Sequence, residues 1–385
     1  MFDSAKIAIV YDWIDKWGGV ERVLLTLHEM FPEAPFFTSY YDSKKATWAK
    51  DLKIKTSFIQ KLPKFIRGNR LASLPFYSYA FESFDFRGYD LVISVTSSFA
   101  KGIVTRPETL HVCYLLTPTR YLWVNPDLYI NKSLKFLTSN YLTKMKQWDF
   151  VAAQRPDHII SLSQTVADRC QKFYQRKSEV IYPPFDVEYW KTIKNVILGS
   201  ASDTRIDSGQ ARMTIKNKNF FLVVSRLEPY KRIELVLQYF KTLEQKLVVV
   251  GEGSREEELK QVASSNVTFL KKISDQELGY LYSNAEALIM PQEEDFGYVA
   301  LEAQFFGCPV IAYKKGGATE TIIENKTGLF FTEQSVDALE EAINKFDMIK
   351  LELKKSAREF GAKNAERFSK EKFIKQFFNV ILERN

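Results

Sequence analysis

Twice along this chain short apolar runs alternate with helical patterns, and each alternation repeats several times over. The first series opens with a strand pattern at Lys6–Tyr11, a loop through Gly18-Gly19 and a helix from Val20. Val20, Val23, Leu24, Leu27, Met30 and Phe31 recur at helical spacing, so one face of that helix packs on a sheet. Apolar runs at Leu91–Val95, Val112–Leu116 and His158–Leu162 read as further buried strands, with a long helix over roughly Ser133–Ala153 between the last two. The second series has strand patterns at Phe220–Ser225, Lys246–Val250, Val267–Leu270, Ala287–Met290 and Pro309–Tyr313. Ser274 and Glu277 make a capping box for one of its helices. Strands that alternate with helices predict parallel sheets.

Two such series suit a chain of 385 residues, which is long for a single core. Tyr182-Pro183-Pro184 follows a strand pattern at Glu179–Ile181 and reads as a rigid turn or hinge. Gly199–Lys218, polar and charged, reads as a surface insertion or linker. Two series joined by a hinge predict a cleft onto which the carboxyl ends of the strands open. A last helix from about Glu366 carries Phe373, Ile374, Phe377, Phe378, Ile381 and Leu382 on one broad face, which must be buried against something, with the first domain as a candidate.

The chain carries a formal net charge of +7, which favours anionic partners: phosphates, nucleic acid or an acidic membrane face. Lys44, Lys45, Lys50, Lys53, Lys55, Lys61, Lys64, Arg67 and Arg70 crowd one stretch against the single acid Asp51, and Phe76, Tyr77, Tyr79, Phe81, Phe84 and Phe86 follow. That pairing reads either as a peripheral contact with an anionic membrane or as a solvated face followed by an amphipathic core helix. A nucleic-acid role is not expected, because the basic run lacks a recognisable binding module. The three cysteines, Cys113, Cys170 and Cys308, are widely spaced with no Cys-x-x-Cys pair, which argues against a disulfide framework or zinc knuckle and fits a reducing cytoplasm. No secretory signal pattern opens the chain, and no apolar run reaches the ~20 residues that cross a bilayer.

The chemistry concentrates at strand ends. Glu294-Asp295-Phe296-Gly297-Tyr298-Val299-Ala300-Leu301-Glu302 sets two carboxylates eight residues apart, with Gly297 letting backbone approach a ligand and helix amides favouring an anion. A sugar nucleotide has matching needs: hydroxyls at the hexose, a diphosphate in the middle, hydroxyls at the ribose. Arg226 and Lys231 lie five apart across a Pro-containing turn, so a forked donor and a point charge reach one diphosphate. Gly251 and Gly253 end the next strand and offer backbone room. Gly18-Gly19 reads as a phosphate- or sugar-approach loop or as a plain tight turn, and it departs from Gly-x-Gly-x-x-Gly.

Taken in order, Arg226, Lys231, Gly251, Gly253, Glu294, Phe296, Gly297 and Glu302 resemble family 4 of the retaining glycosyltransferases, and Gly18-Gly19-Val20-Glu21-Arg22, Tyr182-Pro183-Pro184 and Gly316-Gly317 extend the likeness across essentially the whole chain. The flavour is closest to bacterial mannosyl- and hexosyltransferases of O-antigen and exopolysaccharide assembly. The resemblance implies an α/β chain of GT-B architecture: two Rossmann-like parallel-sheet domains facing across a cleft, residues 1–185 and 186–365, with a C-terminal helix over about 366–385 crossing back to the first. It implies a donor diphosphate on Arg226 and Lys231, ribose hydroxyls on Glu302 and the hexose on Glu294. Backbone around Phe296, Gly297, Tyr298 and Val299, together with Gly19, would complete the donor contacts, and Ile273 would touch the base. No metal or other cofactor is implied; the partners are a nucleotide sugar, GDP-mannose first and UDP-glucose second, and a lipid-linked or saccharide acceptor at the inner membrane face.

One departure stands out. Related enzymes often place a His before Thr-Pro at the end of a first-domain strand, and here Leu116 precedes Thr117-Pro118. His111, five residues earlier, points to the opposite face of a strand and reads as a core histidine. The change reads as an altered sugar preference, a lower activity, or a sugar-nucleotide or glycan-binding subunit that no longer catalyses; a sugar-nucleotide epimerase on the same architecture is a further, separate reading.

Overall fold

In a computed structural model the described residues are 5–124, 126, 135–199 and 219–382. They form two units, Met1–Pro184 with Phe373–Asn385, and Phe185–Lys372. The insertion expected at residues 199–218 lies almost wholly outside the described residues.

The first unit is built on a seven-stranded sheet: β1 (Ile7–Tyr11), β2 (Phe36–Thr38), β3 (Ile54–Thr56), β4 (Leu91–Thr96), β5 (Leu110–Leu115), β6 (His158–Ser161) and β7 (Glu179–Val180). Every pairing is parallel and the spatial order is β3-β2-β1-β4-β5-β6-β7. The chain runs outward from β1 to β3, returns, and runs outward the other way from β4, so the direction of winding reverses between β1 and β4. In open parallel sheets this reversal leaves a gap outside the carboxyl ends of the two central strands, where ligands settle. Residues of β1 and β4 are all buried, as strands covered on both faces must be.

The second unit repeats the pattern with β8 (Phe220–Val224), β9 (Lys246–Val250), β10 (Val267–Leu270), β11 (Leu288–Met290), β12 (Val310–Tyr313) and β13 (Gly328–Phe331). Its order is β10-β9-β8-β11-β12-β13, all parallel, with the reversal between β8 and β11. Its core joins Phe221, Val223, Ile289 and Ile311 of the sheet to Val236, Phe240 and Phe346 of the covering helices.

The strand patterns of the sequence correspond to β1 and β4–β12 within a residue or two. Strands β2, β3 and β13 were not foreseen: β3 holds one apolar residue in three, β13 opens on a glycine, and β2 is only an apolar pair followed by Thr38. Over residues 58–82 the chain breaks into short elements at Phe58–Lys61, Lys64–Arg67, Arg70–Ser73 and Leu74–Phe76, and the aromatic stretch then forms the helix Tyr77–Glu82, an amphipathic helix that buries Tyr77, Ala80 and Phe81 in the core and leaves Tyr79 exposed. Pro63, Gly68 and Pro75 interrupt the chain ahead of that helix.

The end of the chain also differs in detail. A helix Val336–Ala365 precedes a 3-10 turn at Glu366–Phe368, and Ser369 separates that turn from the last helix, Lys370–Leu382. From Phe373 onward this helix belongs to the first unit. Phe373 and Phe377 pack on Tyr114 with ring centroids 5.7 and 6.3 Å away, and Phe378 meets Phe31 at 5.7 Å. Of the apolar face read from the sequence, Phe373, Phe377 and Ile381 are buried, Ile374 and Phe378 are half-buried, and Leu382 is exposed.

Candidate functional site

The winding reversal of the second unit brings two loops side by side, because β8 and β11 are neighbours. After β8 the chain passes Ser225 and Arg226, turns through Pro229–Lys231, and starts the helix Ile233–Phe240 after Arg232, whose backbone is left-handed at φ 56°. Arg226 is exposed and its Nη2 donates to Tyr230 Oη at 2.5 Å. Both cations reach the same ring: the Arg226 guanidinium lies 5.9 Å and the Lys231 Nζ 5.2 Å from the Tyr230 centroid. Lys231 is only 7% exposed and its ammonium donates to Glu294 Oε1.

Glu294 is fixed by backbone as well as by Lys231. Its carbonyl accepts from Gly317 N at 2.8 Å, and it forms an isolated parallel bridge with Gly316. A Cβ on Gly316, whose φ is 71°, would stand 2.2 Å from the Glu294 carbonyl oxygen, so only glycine permits this approach. Gln292 Nε2 donates to Glu294 Oε1 at 2.8 Å, and Gln334 Nε2 holds the Pro291 carbonyl at 2.7 Å.

Gly297, left-handed at φ 92°, caps the helix Tyr298–Phe305. Phe296 is buried against Tyr298 and Phe368, with ring centroids 5.3 and 5.4 Å away, while Tyr298 and Val299 are half-buried. Glu302 sits one turn inside that helix, 3% exposed, and accepts from Tyr282 Oη at 3.0 Å. Ile273 is half-buried between left-handed Lys272 and the capping box of Ser274 and Glu277, which forms as the sequence indicates.

Gly251 and Gly253 have a different immediate role from the open backbone room expected of them. A Cβ on Gly251 would lie 1.9 Å from the Ser225 carbonyl oxygen, and one on Gly253 would lie 2.3 Å from that of Leu227. Leu227 N donates to Glu252 O at 2.9 Å, and Arg255 N to Leu227 O at 3.0 Å. These glycines admit the loop that carries Arg226.

In the first unit Gly19 is exposed at the N-terminus of the helix Val20–Met30 and supplies no side-chain cap. Glu21, in that first turn, is 3% exposed; burial pushes its carboxyl up to about 7 against the hydrogen bonds from its own and Gly18's backbone. Asp12, at the end of β1, is wholly buried and accepts from Ser97 N, Phe99 N and Ala100 N, each at 2.8 Å, and from Thr96 Oγ1 at 2.9 Å. It clasps the ends of β1 and β4 together. His111 is buried with Nε2 2.8 Å from Ser94 Oγ, and burial lowers its pKa to about 3, so it is neutral. It is a core residue, as its strand position indicates. Leu116 is half-buried and its amide donates to Thr96 O at 2.8 Å, so the strand end keeps its pairing without an imidazole.

Four polar residues escaped the sequence reading: Asp12, Gln292 and the buried pair Lys101–Asp149, whose Nζ and Oδ1 are 2.6 Å apart and whose carboxylate Thr119, Trp123 and Tyr174 also bond. An acid directly after the apolar run Ile7–Tyr11 was the one legible signal; the others depend on which loops meet. Among the described residues no group of three or more His, Cys, Asp or Glu stands together to hold a metal, and no helix is long and apolar enough to cross a membrane.

Residues 208–367 match the family model of the glycosyl transferases group 1. The chain is 28% identical over 288 residues to the alpha-1,3/1,6-mannosyltransferase of Homo sapiens, covering 66% of this chain and 65% of the human protein, just under two thirds of its length. It is 30% identical over 207 residues to the O-antigen chain mannosyltransferase C of Escherichia coli, covering 51% of this chain and 50% of that one. Among solved structures it resembles Anabaena HepE in complex with UDP, with a TM-score of 0.69, 18% identity, and coverage of 98% and 100% of the two chains. The fold is GT-B, with two Rossmann-like parallel-sheet units.

Proposed function

We propose, from a group 1 glycosyl transferase segment set in a GT-B fold, that this protein transfers a hexose from a nucleotide sugar to a lipid-linked or saccharide acceptor, with retention at the anomeric carbon. The observation that carries the reading is the meeting of Arg226, Lys231 and Glu294 where β8 and β11 end side by side. A leaving diphosphate gains negative charge as the C1–oxygen bond breaks, and cations already fixed in place stabilise that charge without reorganising. Here a forked guanidinium and an ammonium converge on one ring, so the reading needs no metal cofactor. The acceptor oxygen bonds C1 from the face the diphosphate leaves, and its proton passes to the departing phosphate oxygen. Glu294 orients the hexose and Glu302 the ribose; neither is a nucleophile.

Mannose from GDP-mannose is the donor we favour, supported by the mannosyltransferases among the relatives, with UDP-glucose second. A peripheral membrane site for the acceptor is supported by the run of short helices at 58–82, where Phe58, Phe65, Leu71 and Tyr79 are 40%, 75%, 75% and 68% exposed beside exposed Lys61 and Lys64. Apolar side chains among cations suit an anionic headgroup layer.

Leu116 favours a second reading, a sugar-nucleotide-binding subunit without turnover. Incubating the protein with GDP- and UDP-hexoses and following donor cleavage tests both. Turnover abolished by Arg226→Ala supports the transferase. Binding without turnover, in the parent and in Leu116→His alike, supports the subunit. No binding of any nucleotide sugar, with Glu302→Ala indistinguishable from the parent, sinks both.

A further inference from the structure

We propose that the side-chain carbonyl of Gln292 is a specificity-determining acceptor, taking the hydrogen of one hydroxyl on the transferred sugar beside Glu294. This rests on the reading of the second unit as a nucleotide-sugar site.

Gln292 follows β11 by two residues and is 2% exposed. Its Nε2 donates to Glu294 Oε1 at 2.8 Å, and the Lys231 ammonium donates to the same oxygen. That contact decides which way the amide faces. Turned over, its carbonyl oxygen would meet the carboxylate, acceptor against acceptor. The Gln292 carbonyl oxygen therefore points away from Glu294, and no described protein group donates to it.

A buried acceptor without a donor costs stability, and native chains retain one chiefly where something else meets it. Holding Glu294 explains the Nε2 of Gln292 but not its oxygen. The chemistry of the missing donor is narrow. A diphosphate has no hydrogen to give at neutral pH, and Arg226 and Lys231 already mark its place. What remains beside Glu294 is a group rich in O–H donors, and a hexose is such a group. With Glu294 accepting one hydroxyl and Gln292 another, two acceptors at fixed separation read the hydroxyl pattern of the sugar, which a lone carboxylate cannot do. Loss of a hydroxyl from a ligand whose site is built to accept it is penalised heavily, because the buried acceptor is left bare.

The test uses the full chain with GDP, GDP-mannose and the 2-, 3-, 4- and 6-monodeoxy analogues of GDP-mannose, and the UDP-glucose series if that donor binds instead. Dissociation constants are measured by calorimetry for the parent, Gln292→Met and Gln292→Glu. One deoxy position is expected to weaken parent binding about tenfold or more. The same deletion should cost little in Gln292→Met, while GDP alone binds all three proteins equally. That non-additivity belongs to a direct contact and not to a displaced loop. Independent, additive losses at every position overturn the inference, and so does equal binding of all analogues by the parent, a readout that needs no variant to fold. These outcomes leave nucleotide-sugar binding standing. If the parent binds neither donor series, the functional reading falls and the inference with it.

Discussion

Lys231 donates its ammonium to Glu294, and this ion pair ties the loop after β8 to the loop after β11, the two strands between which the second sheet reverses direction. The side chains are 9% and 21% exposed, so the pair is shielded from solvent but open enough on one side to be shared with a ligand. Removing one partner strands the other charge in a poorly solvated place.

Lys231→Met is expected to cost about 1–3 kcal/mol of stability, an amount typical of a charged group left without its bond. Glu294→Gln alone should cost less, since a neutral amide tolerates burial better. The double variant should recover part of the Lys231→Met loss, because the stranded carboxylate is gone. Urea unfolding of the four proteins checks this, and turnover should stay low in all three variants even where stability returns. Additive unfolding losses would show that the ion pair is incidental.

Asp12 predicts a larger effect in the first unit. Its carboxylate satisfies three backbone amides and the Thr96 hydroxyl in a buried place. Asp12→Ala leaves those amides bare, at about 3 kcal/mol or more, and Asp12→Asn sets an amide NH2 against N–H donors. Both variants should unfold at lower urea, with Asp12→Ala the lower. A change within 0.5 kcal/mol, the range usual for surface substitutions, would contradict the clasp.

Two buried groups of the first unit make its stability depend on pH in opposite senses. His111 has a folded pKa of about 3, below its ordinary 6.5, so the unfolded chain binds more protons between those values. Its contribution is complete above pH 6.5 and is lost as pH falls towards 3, about 2 kcal/mol by pH 5. Glu21 has a folded pKa of about 7, above its ordinary 4.5, so here the folded chain binds more protons. Its contribution is complete below pH 4.5 and is lost as pH rises through 7. Glu21→Gln should therefore raise the melting temperature at pH 8 relative to the parent, with a smaller gain at pH 5. Melting curves at the two pH values decide it, and a gain that does not grow with pH counts against the assignment.

How far the fold was legible does not follow from element length, since β11 is as short as β2 and β3. The strands β1, β4–β6 and β8–β12 announce themselves through runs of apolar residues; β3 holds one apolar residue in three, β13 opens on a glycine, and β2 is an apolar pair followed by Thr38. The candidate site divides in the same way. Arg226, Lys231, Glu294 and Glu302 were visible as charges at strand ends. Tyr282 as the partner of Glu302 was not, since that contact joins two helices whose register depends on the packed sheet; Tyr230 as the common ring of Arg226 and Lys231, and Gln292 beside Glu294, are local contacts that loop conformation, not residue pattern, decides.

By itself, then, the order of residues determined the two alternating series, the apolar face of the last helix and the charged residues at the strand ends, because these follow from periodicity and chemistry within a few residues. Tertiary structure alone decided which charges meet. Glu294 reaches Lys231 across 63 residues of chain because β8 and β11 pair and because Gly316 lacks the Cβ that would block its backbone. Burial, which turns Asp12 into a clasp and His111 into a neutral core residue, is likewise a property of the assembled sheet, since desolvation exists only once the surrounding segments have closed over a group.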